Sequence, residues 1–575
     1  MSALIMLFLS YGLYLLAATV CVLSLVALAE LVIPGYSPKV LRVALSKVLN
    51  VSQGPILPCR DFYHTIPDTH SLTPPDTCKI ILEHRFPIQT PDGLHSIPSC
   101  PYQWPNGQGD DGKFLSGIEN SARWRAKHGS VYRIWSGMHP EVVLTEPGQL
   151  SAVFKDSDKH TKAPANNSGA YMDRLLGKCV GLISGQEWRR VRGVVEGPFG
   201  FHAASSPSSS KGIERIVARH FEELARTGGL RNGLIHPAED LKMLPFWVVC
   251  EALYGRLPDR LVRELNSMAP LREGLFRHVM QGGLARFGWA AWLPTAANAE
   301  MDEFQRRWTA FNEAAYEFAK AQQQQPSNSS PRDEHPPIVD MVDKMRAGHI
   351  TQEHLLQTLD ESLYANLDVT TGSLSWNLVF LAANRDVQVR LRAELQAVSD
   401  QSPQSKEAYL RSDATLLHAC VLESSRLKPL AAFSVPQAAP SARTVEGYVV
   451  PARTSFVVDS YAINIHSDTW APDNAAYRPE RFLGKGGGGS ELRYKFWRFG
   501  FGPRQCMGKY LADNIIRRTL AHVVLGFELG WADEGEDWSR ARDMWITHPD
   551  FCIRCTKSTQ ERMTAETGAG PHTEV

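Results

Sequence analysis

Net charge is the first thing this 575-residue sequence lacks: Lys plus Arg number 61, and Asp plus Glu also number 61. That excludes a nucleic-acid binder that works through bulk positive charge. Cysteine is scarce. Ten cysteines at irregular spacing do not form a disulfide scaffold, and they imply a reducing compartment. No internal repeat is present. No G-x-G-x-x-G lies in a strand–turn–helix context, so the chain encodes no Rossmann unit for a nicotinamide or flavin. Disorder along the whole chain is also excluded, because 43% of the residues are hydrophobic and 21% charged, both near globular averages.

Charge is absent altogether from Ala3 to Ala29. At about 1.5 Å per residue this run is long enough to span a bilayer core of about 30 Å with some tilt. It is longer than the apolar part of a signal peptide, and no basic residue precedes it. Lys39, Arg42 and Lys47 follow it, which places the remaining chain on the cytosolic side. Residues 1–33 are therefore expected to be a single-pass membrane anchor and 34–50 a linker that opens with Pro34-Gly-Tyr-Ser-Pro38. In a cytosolic body the N-x-S/T matches at Asn50, Asn166 and Asn328 are not glycan acceptors.

In the rest of the chain, apolar residues recur at helical spacing over 213–226, 236–255, 300–321, 353–381, 386–397 and 508–527. Strand patterns occur at 131–135, 141–144, 447–450 and 454–458. Polar stretches at 203–211, 322–337 and 484–490 suggest loops, and 556–575 suggests a disordered tail. The expected body is mainly α with minor β, over residues 51–555. Phe287–Leu293, rich in tryptophan, suits a membrane contact or a core position equally.

One cysteine has a distinctive context. Phe499-Gly-Phe-Gly-Pro-Arg-Gln-Cys506-Met-Gly508 leads into the amphipathic run from Lys509 to Leu525. Glycines and a proline make a tight loop that sets Cys506 near a helix N-terminus, where backbone N–H groups favour a thiolate. A thiolate held rigidly there suits an axial iron ligand. Gly502 and Gly508 would let a flat macrocycle approach the backbone, and Arg504 could pair with its carboxylate. Cys179, Cys250 and Cys420 have no such context and are expected in the core. Cys552-Ile-Arg-Cys555 has metal-type spacing but no second pair, and it lies in an alternating, strand-like stretch.

The loop resembles the F-x-x-G-x-R-x-C-x-G haem-binding loop of the cytochrome P450 family, with every fixed position present from Phe499 to Gly508. Three further motifs occur in the family's order. Glu423-Ser-Ser-Arg426 is similar to its E-x-x-R, and Pro479-Glu-Arg481-Phe to its PERF segment. Trp188 to Arg192 is similar to its W-x-x-x-R. The resemblance implies a haem–thiolate fold that binds haem b through Cys506. Trp188, Arg192, Arg504 and Phe499 would lie around the cofactor, and Glu423, Arg426 and Arg481 would form a structural charge network. It also implies a pocket lined by Tyr364, Ala365, Ala432, Phe433, Ser434 and Val435.

Two places depart from the family pattern. Ala365-Asn-Leu-Asp368-Val-Thr370-Thr stands where members usually carry A/G-G-x-D/E-T-T. Asn366 replaces the glycine and Val369 the first threonine. Reductive O2 cleavage consumes protons, so Asp368 and Thr370 are the candidate relay; valine has no hydrogen to donate. Gln437, ten residues before Gly447, stands where many members place a cation for a haem carboxylate. A glutamine offers only a neutral hydrogen bond there.

The resemblance implies a monooxygenase that puts one oxygen atom of O2 into a small organic substrate, with electrons from NADPH through a separate NADPH–cytochrome P450 reductase. Arg498, Lys509, Arg517 and Arg518 flank the cysteine loop and suit an acidic partner surface or a solvated helix face. The implied location is the endoplasmic reticulum membrane, with no nucleic-acid partner. The variant around Asp368 resembles filamentous-fungal enzymes of secondary metabolism. A haem–thiolate isomerase or dehydratase needing neither O2 nor reductase is the alternative that Val369 leaves open, and a non-catalytic haem protein is a third.

Overall fold

The structure, a computed structural model, describes residues 74–162, 168–323, 336–483, 491–533 and 535–558. The chain divides into two compact units, Met1–Leu82 and Glu83–Val575. Everything below belongs to the second. The expected anchor and linker lie outside the described residues, as does the tail beyond Ser558. Among the described residues no helix is long and apolar enough to cross a membrane.

Helices dominate. The principal ones are α1 (Gly185–Val195), α2 (Pro207–Thr227), α3 (Met243–Tyr254), α4 (Asp259–Gln281) and α5 (Ala296–Gln323). They are followed by α6 (Gln352–Tyr364), α7 (Val369–Ala383), α8 (Arg385–Gln401), α9 (Leu416–Leu427) and α10 (Lys509–Gly526). Helix α7 runs through the middle, buried from Thr370 to Ala382 apart from Ser373, and packs on α9, α10 and the sheet strand that follows α10.

Ten strands are described: β1 (Val131–Ser136), β2 (His139–Leu144), β3 (Thr161–Lys162), β4 (Leu234–Ile235), β5 (Gln437–Ala438), β6 (Arg443–Val445), β7 (Tyr448–Val450), β8 (Ser455–Val458), β9 (Phe527–Trp531) and β10 (Ile553–Lys557). The largest sheet has the order β1-β2-β8-β5-β3. Val142, Val143 and Leu144 of β2 run parallel to Phe456, Val457 and Val458 of β8, and all six are fully buried, as expected of a strand covered on both faces. At the far edge β3 lies antiparallel to β5, with Lys162 opposite Gln437.

Four sequence expectations change. The run 353–381 is not one helix: α6 ends at Tyr364, a 3₁₀ turn covers Ala365–Leu367, and α7 begins at Val369. The polar stretch 203–211 is not a loop. Ser206 caps α2 by accepting from the Ser209 N–H, and Pro207 occupies the first turn, where a missing N–H costs nothing. Helix α3 starts at Met243 because the Asp240 carboxylate takes the His236 N–H and holds the preceding residues in turns. Strand β10 runs to Lys557, two residues into the expected tail. Helix α4 was not anticipated. Pro270 interrupts its pattern, yet Leu261, Leu265, Met268, Leu275 and Val279 keep one buried face.

Cys179, Cys250 and Cys420 are buried, and Cys555 is buried on β10 beside the exposed Cys552. Within 287–293 a short 3₁₀ helix covers Gly288–Trp292; the flanking Phe287 stacks on Trp289 at 6.0 Å, while Trp292 is 88% exposed.

Candidate active site

A cavity of about 1470 Å³ lies between the cysteine loop, the α6–α7 break, α4 and the sheet edge. The loop is built by backbone geometry. Gly500 and Gly502 have φ of 79° and 64°, values that a side chain disfavours. A Cβ at Gly502 would also sit 2.5 Å from the Ser157 hydroxyl. The Cys506 N–H donates to the Phe499 carbonyl at 2.9 Å, closing the turn. Phe501 packs among Phe154, Tyr494 and Trp497 and fastens the loop to the core.

Cys506 borders the cavity, with Phe499, Arg504 and Gly508 beside it. The residue is exposed where it borders that space, while desolvation by the surrounding protein raises its thiol above the ordinary value; the Gly508 N–H pulls the other way. Desolvation therefore outweighs the helix N-terminus, the opposite balance to the one expected from position alone. Gly502 does not line the cavity, which corrects its expected place against a macrocycle. Its absent side chain serves the turn and the contact with Ser157. At Gly508, in contrast, a Cβ would meet no protein atom within 4 Å.

Trp188 and Arg192 on α1 reach the same wall. The Arg504 guanidinium lies 4.6 Å from the Trp188 ring centre, and its Nη2 donates to the Ile183 carbonyl at 2.9 Å. Its Nη1 is buried without a partner, as is Oε1 of Gln437. Burial brings the Arg504 guanidinium down to about 10. The unpaired Arg504 donor at the cavity rim calls for an acceptor such as a carboxylate, whereas the Gln437 oxygen calls for a donor. Together with a cysteine bordering the cavity beside Gly508, where a Cβ would meet no protein atom within 4 Å, the Arg504 donor fits a haem.

Opposite the cysteine, Asn366 organises the helix break. Its amide donates to the Ser362 carbonyl at 2.6 Å, and its side-chain oxygen accepts from the Thr370 hydroxyl at 2.6 Å. The Thr371 hydroxyl donates to the Asn366 carbonyl at 3.1 Å. These local bonds compete with helical ones and explain the 3₁₀ turn. Thr370 thus gives its proton to Asn366. Asp368 is held from outside the helix: Trp545 Nε1 donates to Oδ2 at 2.6 Å, while Oδ1 is buried without a partner. His548 Nε2 lies 2.8 Å from the Asp368 carbonyl, and burial lowers that imidazole. The 545–548 segment approaches so closely that a Cβ at Gly372 would lie 2.9 Å from both His548 and Ile546.

Tyr364, Ala365, Phe433, Ser434 and Val435 line the cavity. Ala432 does not; it turns away to pack against Gly117. Most of the Tyr364 ring is embedded among Phe246, Phe304 and Trp308. Trp545, Phe276, Arg272 and Lys162 also line the space and were missed by the sequence reading. Each lies on a segment that carries no motif.

The expected charge network comes together below the site. Arg426 makes two 2.8 Å bonds to Glu423, and Arg481 Nε adds a third at 2.9 Å; Glu423 and Arg426 are fully buried. The expected basic surface does not form as a unit. Arg518 is buried against Glu214, Glu407 and Ser210, and Arg517 is buried against Asp413 and His418. Arg498 is tied to Asp513, which leaves Lys509 the least constrained of the four.

The fold and the cysteine loop define a haem–thiolate enzyme. The cytochrome P450 family profile matches residues 116–550, and the chain belongs to that family. It is a monooxygenase, an oxidoreductase that carries haem on a cysteine thiolate. It is 52% identical to cytochrome P450 monooxygenase aclC of Aspergillus oryzae, over 83% of this chain and 95% of that protein. It is 49% identical to cytochrome P450 monooxygenase asaD of Aspergillus flavus over 84% and 90%. Identity to gliC of Aspergillus fumigatus, named likewise, is 39% over 84% and 93%. Among solved structures, a zebrafish cytochrome P450 with progesterone matches 76% of this chain and 98% of its own, with a TM-score of 0.59 and 19% identity. At that identity the match speaks for the fold alone.

Proposed function

We propose that the enzyme oxygenates an intermediate of fungal secondary metabolism, with Cys506 as the axial ligand and electrons from NADPH through a separate reductase. The observation that carries the reading is the pairing of a cavity-facing Cys506 with the unpartnered Arg504 donor on one wall and the Asp368 break on the other. The bound haem would supply O2 activation. Trp188, Arg192, Arg504 and Gln437 would hold its carboxylates. Asp368 would deliver protons from Oδ1, the oxygen left without a partner, while Trp545 fixes Oδ2. Thr370 gives its proton to Asn366, so it acts by shaping the break or by accepting a proton from water. The named relatives, all monooxygenases of filamentous fungi, and the variant around Asp368 support the metabolic setting.

Phe114, Phe276, Phe433 and Trp545 supply apolar wall, and Arg272, Ser434 and Asn366 supply polar points. A substrate of mixed character suits them. Residues 1–33 would anchor the catalytic body on the cytosolic face of the endoplasmic reticulum.

Turnover of candidate intermediates with ¹⁸O₂, NADPH and a fungal reductase tests this reading. One labelled oxygen in the product is expected. Product formed at the same rate without O2 or NADPH would overturn it in favour of isomerisation or dehydration.

A further inference from the structure

The polar points of the substrate wall are not equally free. Asn366 commits its amide to the Ser362 carbonyl and its oxygen to the Thr370 hydroxyl. The Ser434 hydroxyl accepts the Val458 N–H at 2.9 Å and donates to the Val435 carbonyl at 3.3 Å. Arg272 differs. A guanidinium carries five N–H donors in a planar fork. Among the described residues only the Nε–H is taken, by Asp360 Oδ1 at 2.7 Å. The Nη groups are left without an acceptor, on a residue that is buried on α4 and lines the cavity.

Arg272 stands at one end of an aromatic shelf. Phe276 lies one turn further along α4, and its ring centre is 5.3 Å from the guanidinium carbon. That ring packs on Trp545 at 5.0 Å, and Trp545 packs on Phe114 at 6.4 Å. All four residues line the cavity, and the Trp545 indole bonds Asp368 beyond them. Aromatic rings in this arrangement suit a flat apolar body, and the fork suits an oxygen acceptor at its end.

The charge of the fork is already answered, because Asp360 is paired with it and both side chains are buried. A ligand carboxylate would bring a second, desolvated anion to a pair that is already neutral. A carbonyl brings no charge and still accepts from the Nη groups.

We propose that Arg272 determines specificity by holding a neutral carbonyl oxygen of the substrate, an amide or a ketone, while an apolar ring system of the same molecule lies along Phe276, Trp545 and Phe114. Asp360 fixes the fork, cancels its charge and so discriminates against acids. The proposal rests on the reading of this cavity as the substrate site.

Calorimetric titration of the purified holoenzyme with three matched probes tests it. They are naphthylacetamide, naphthylacetate and ethylnaphthalene, at about pH 8, above the value of about 6 to which burial raises Asp360. The wild type should bind the amide more tightly than the acid. Arg272→Met combined with Asp360→Asn removes both charges together and leaves no buried ion unpaired. In that variant the amide should lose about tenfold in affinity relative to ethylnaphthalene, the scale of one charge-assisted hydrogen bond. Asp360→Asn alone keeps the fork and frees its charge, so the acid should gain about tenfold relative to the amide. An arginine that only joined α4 to α6 would move none of these ratios, and unchanged ratios in both variants would overturn the proposal. So would a wild type that prefers the acid or fails to bind the amide, a comparison that stands even where a variant does not fold. Binding needs no turnover. Product formed without O2 or NADPH would therefore refute the oxygenase reading and leave the ratios as the test of Arg272.

Discussion

Trp545 shows how a single side chain can set the geometry of the site. Its indole N–H bonds one oxygen of Asp368, while its ring packs on Phe276 at 5.0 Å and Phe114 at 6.4 Å. Both phenylalanines line the cavity, so the acid is positioned by a residue that also touches the substrate space. Trp545→Phe keeps the ring and removes the donor. Product formed per NADPH should fall about tenfold, the equivalent of about 1.4 kcal/mol, with haem content unchanged. A variant in which only KM changes would show that the indole N–H has no part in orienting Asp368. Sequence could reveal Asp368 because it sits within a motif. It could not reveal Trp545, which lies 177 residues away and meets Asp368 only through the fold. Nor could it show that Asn366, the departure from the usual glycine, would take the Thr370 proton for itself.

At the scale of elements, two buried ion pairs join helices with different consequences. In the first, the fully buried Glu423 neutralises both the fully buried Arg426 and the partly exposed Arg481. Glu423→Gln leaves two guanidinium groups short of a counter-charge and should cost about 3–5 kcal/mol, read as a lower thermal midpoint and loss of haem-loaded protein. Glu480→Gln, which removes a pair with Arg390 exposed on both sides, should change the midpoint little.

The second pair joins α4 to α6 through Arg272 and Asp360 at 2.7 Å. Burial raises the Asp360 carboxyl from 3.8 to about 6, against the pull of Arg272. Between those values the folded state holds a proton that the unfolded chain has released. The contribution is therefore fully present below about pH 4 and lost as pH rises through about 6. Asp360→Asn cannot titrate, so its thermal midpoint relative to wild type should rise across that window. A difference independent of pH would contradict this sign.

The same scale shows what periodicity conveys. The four expected strands are all present as β1, β2, β7 and β8, because alternation and β-branching are local properties. Helix ends were less legible. The α6–α7 break depends on side-chain bonds from Asn366, and the start of α2 depends on the Ser206 cap inside a serine-rich stretch that looks like a loop. Helix α4 was hidden by Pro270, whose effect on the pattern exceeds its effect on the buried face.

For the whole molecule, four short motifs are spread from residue 188 to residue 508: the cysteine loop and Trp188–Arg192 line one cavity, while the other two meet in the Glu423 charge network, and their order in the chain was enough to indicate the family. The cavity's remaining wall comes from α4, β3 and the segment around Trp545, where residues act through long-range contact alone. That is why Lys162 and Arg272 were invisible before the fold was known. It also explains why Arg517 and Arg518, basic and adjacent to the loop in sequence, prove to be internal. The central claim is that Cys506 ligates the haem of a monooxygenase. Its most direct test is the carbon-monoxide difference spectrum of reduced wild type beside Cys506→Ala and Cys506→His. The account predicts the red-shifted thiolate band in the wild type, its loss in Cys506→Ala, and a band at the imidazole position in Cys506→His. A red-shifted band that survives in Cys506→Ala would contradict it.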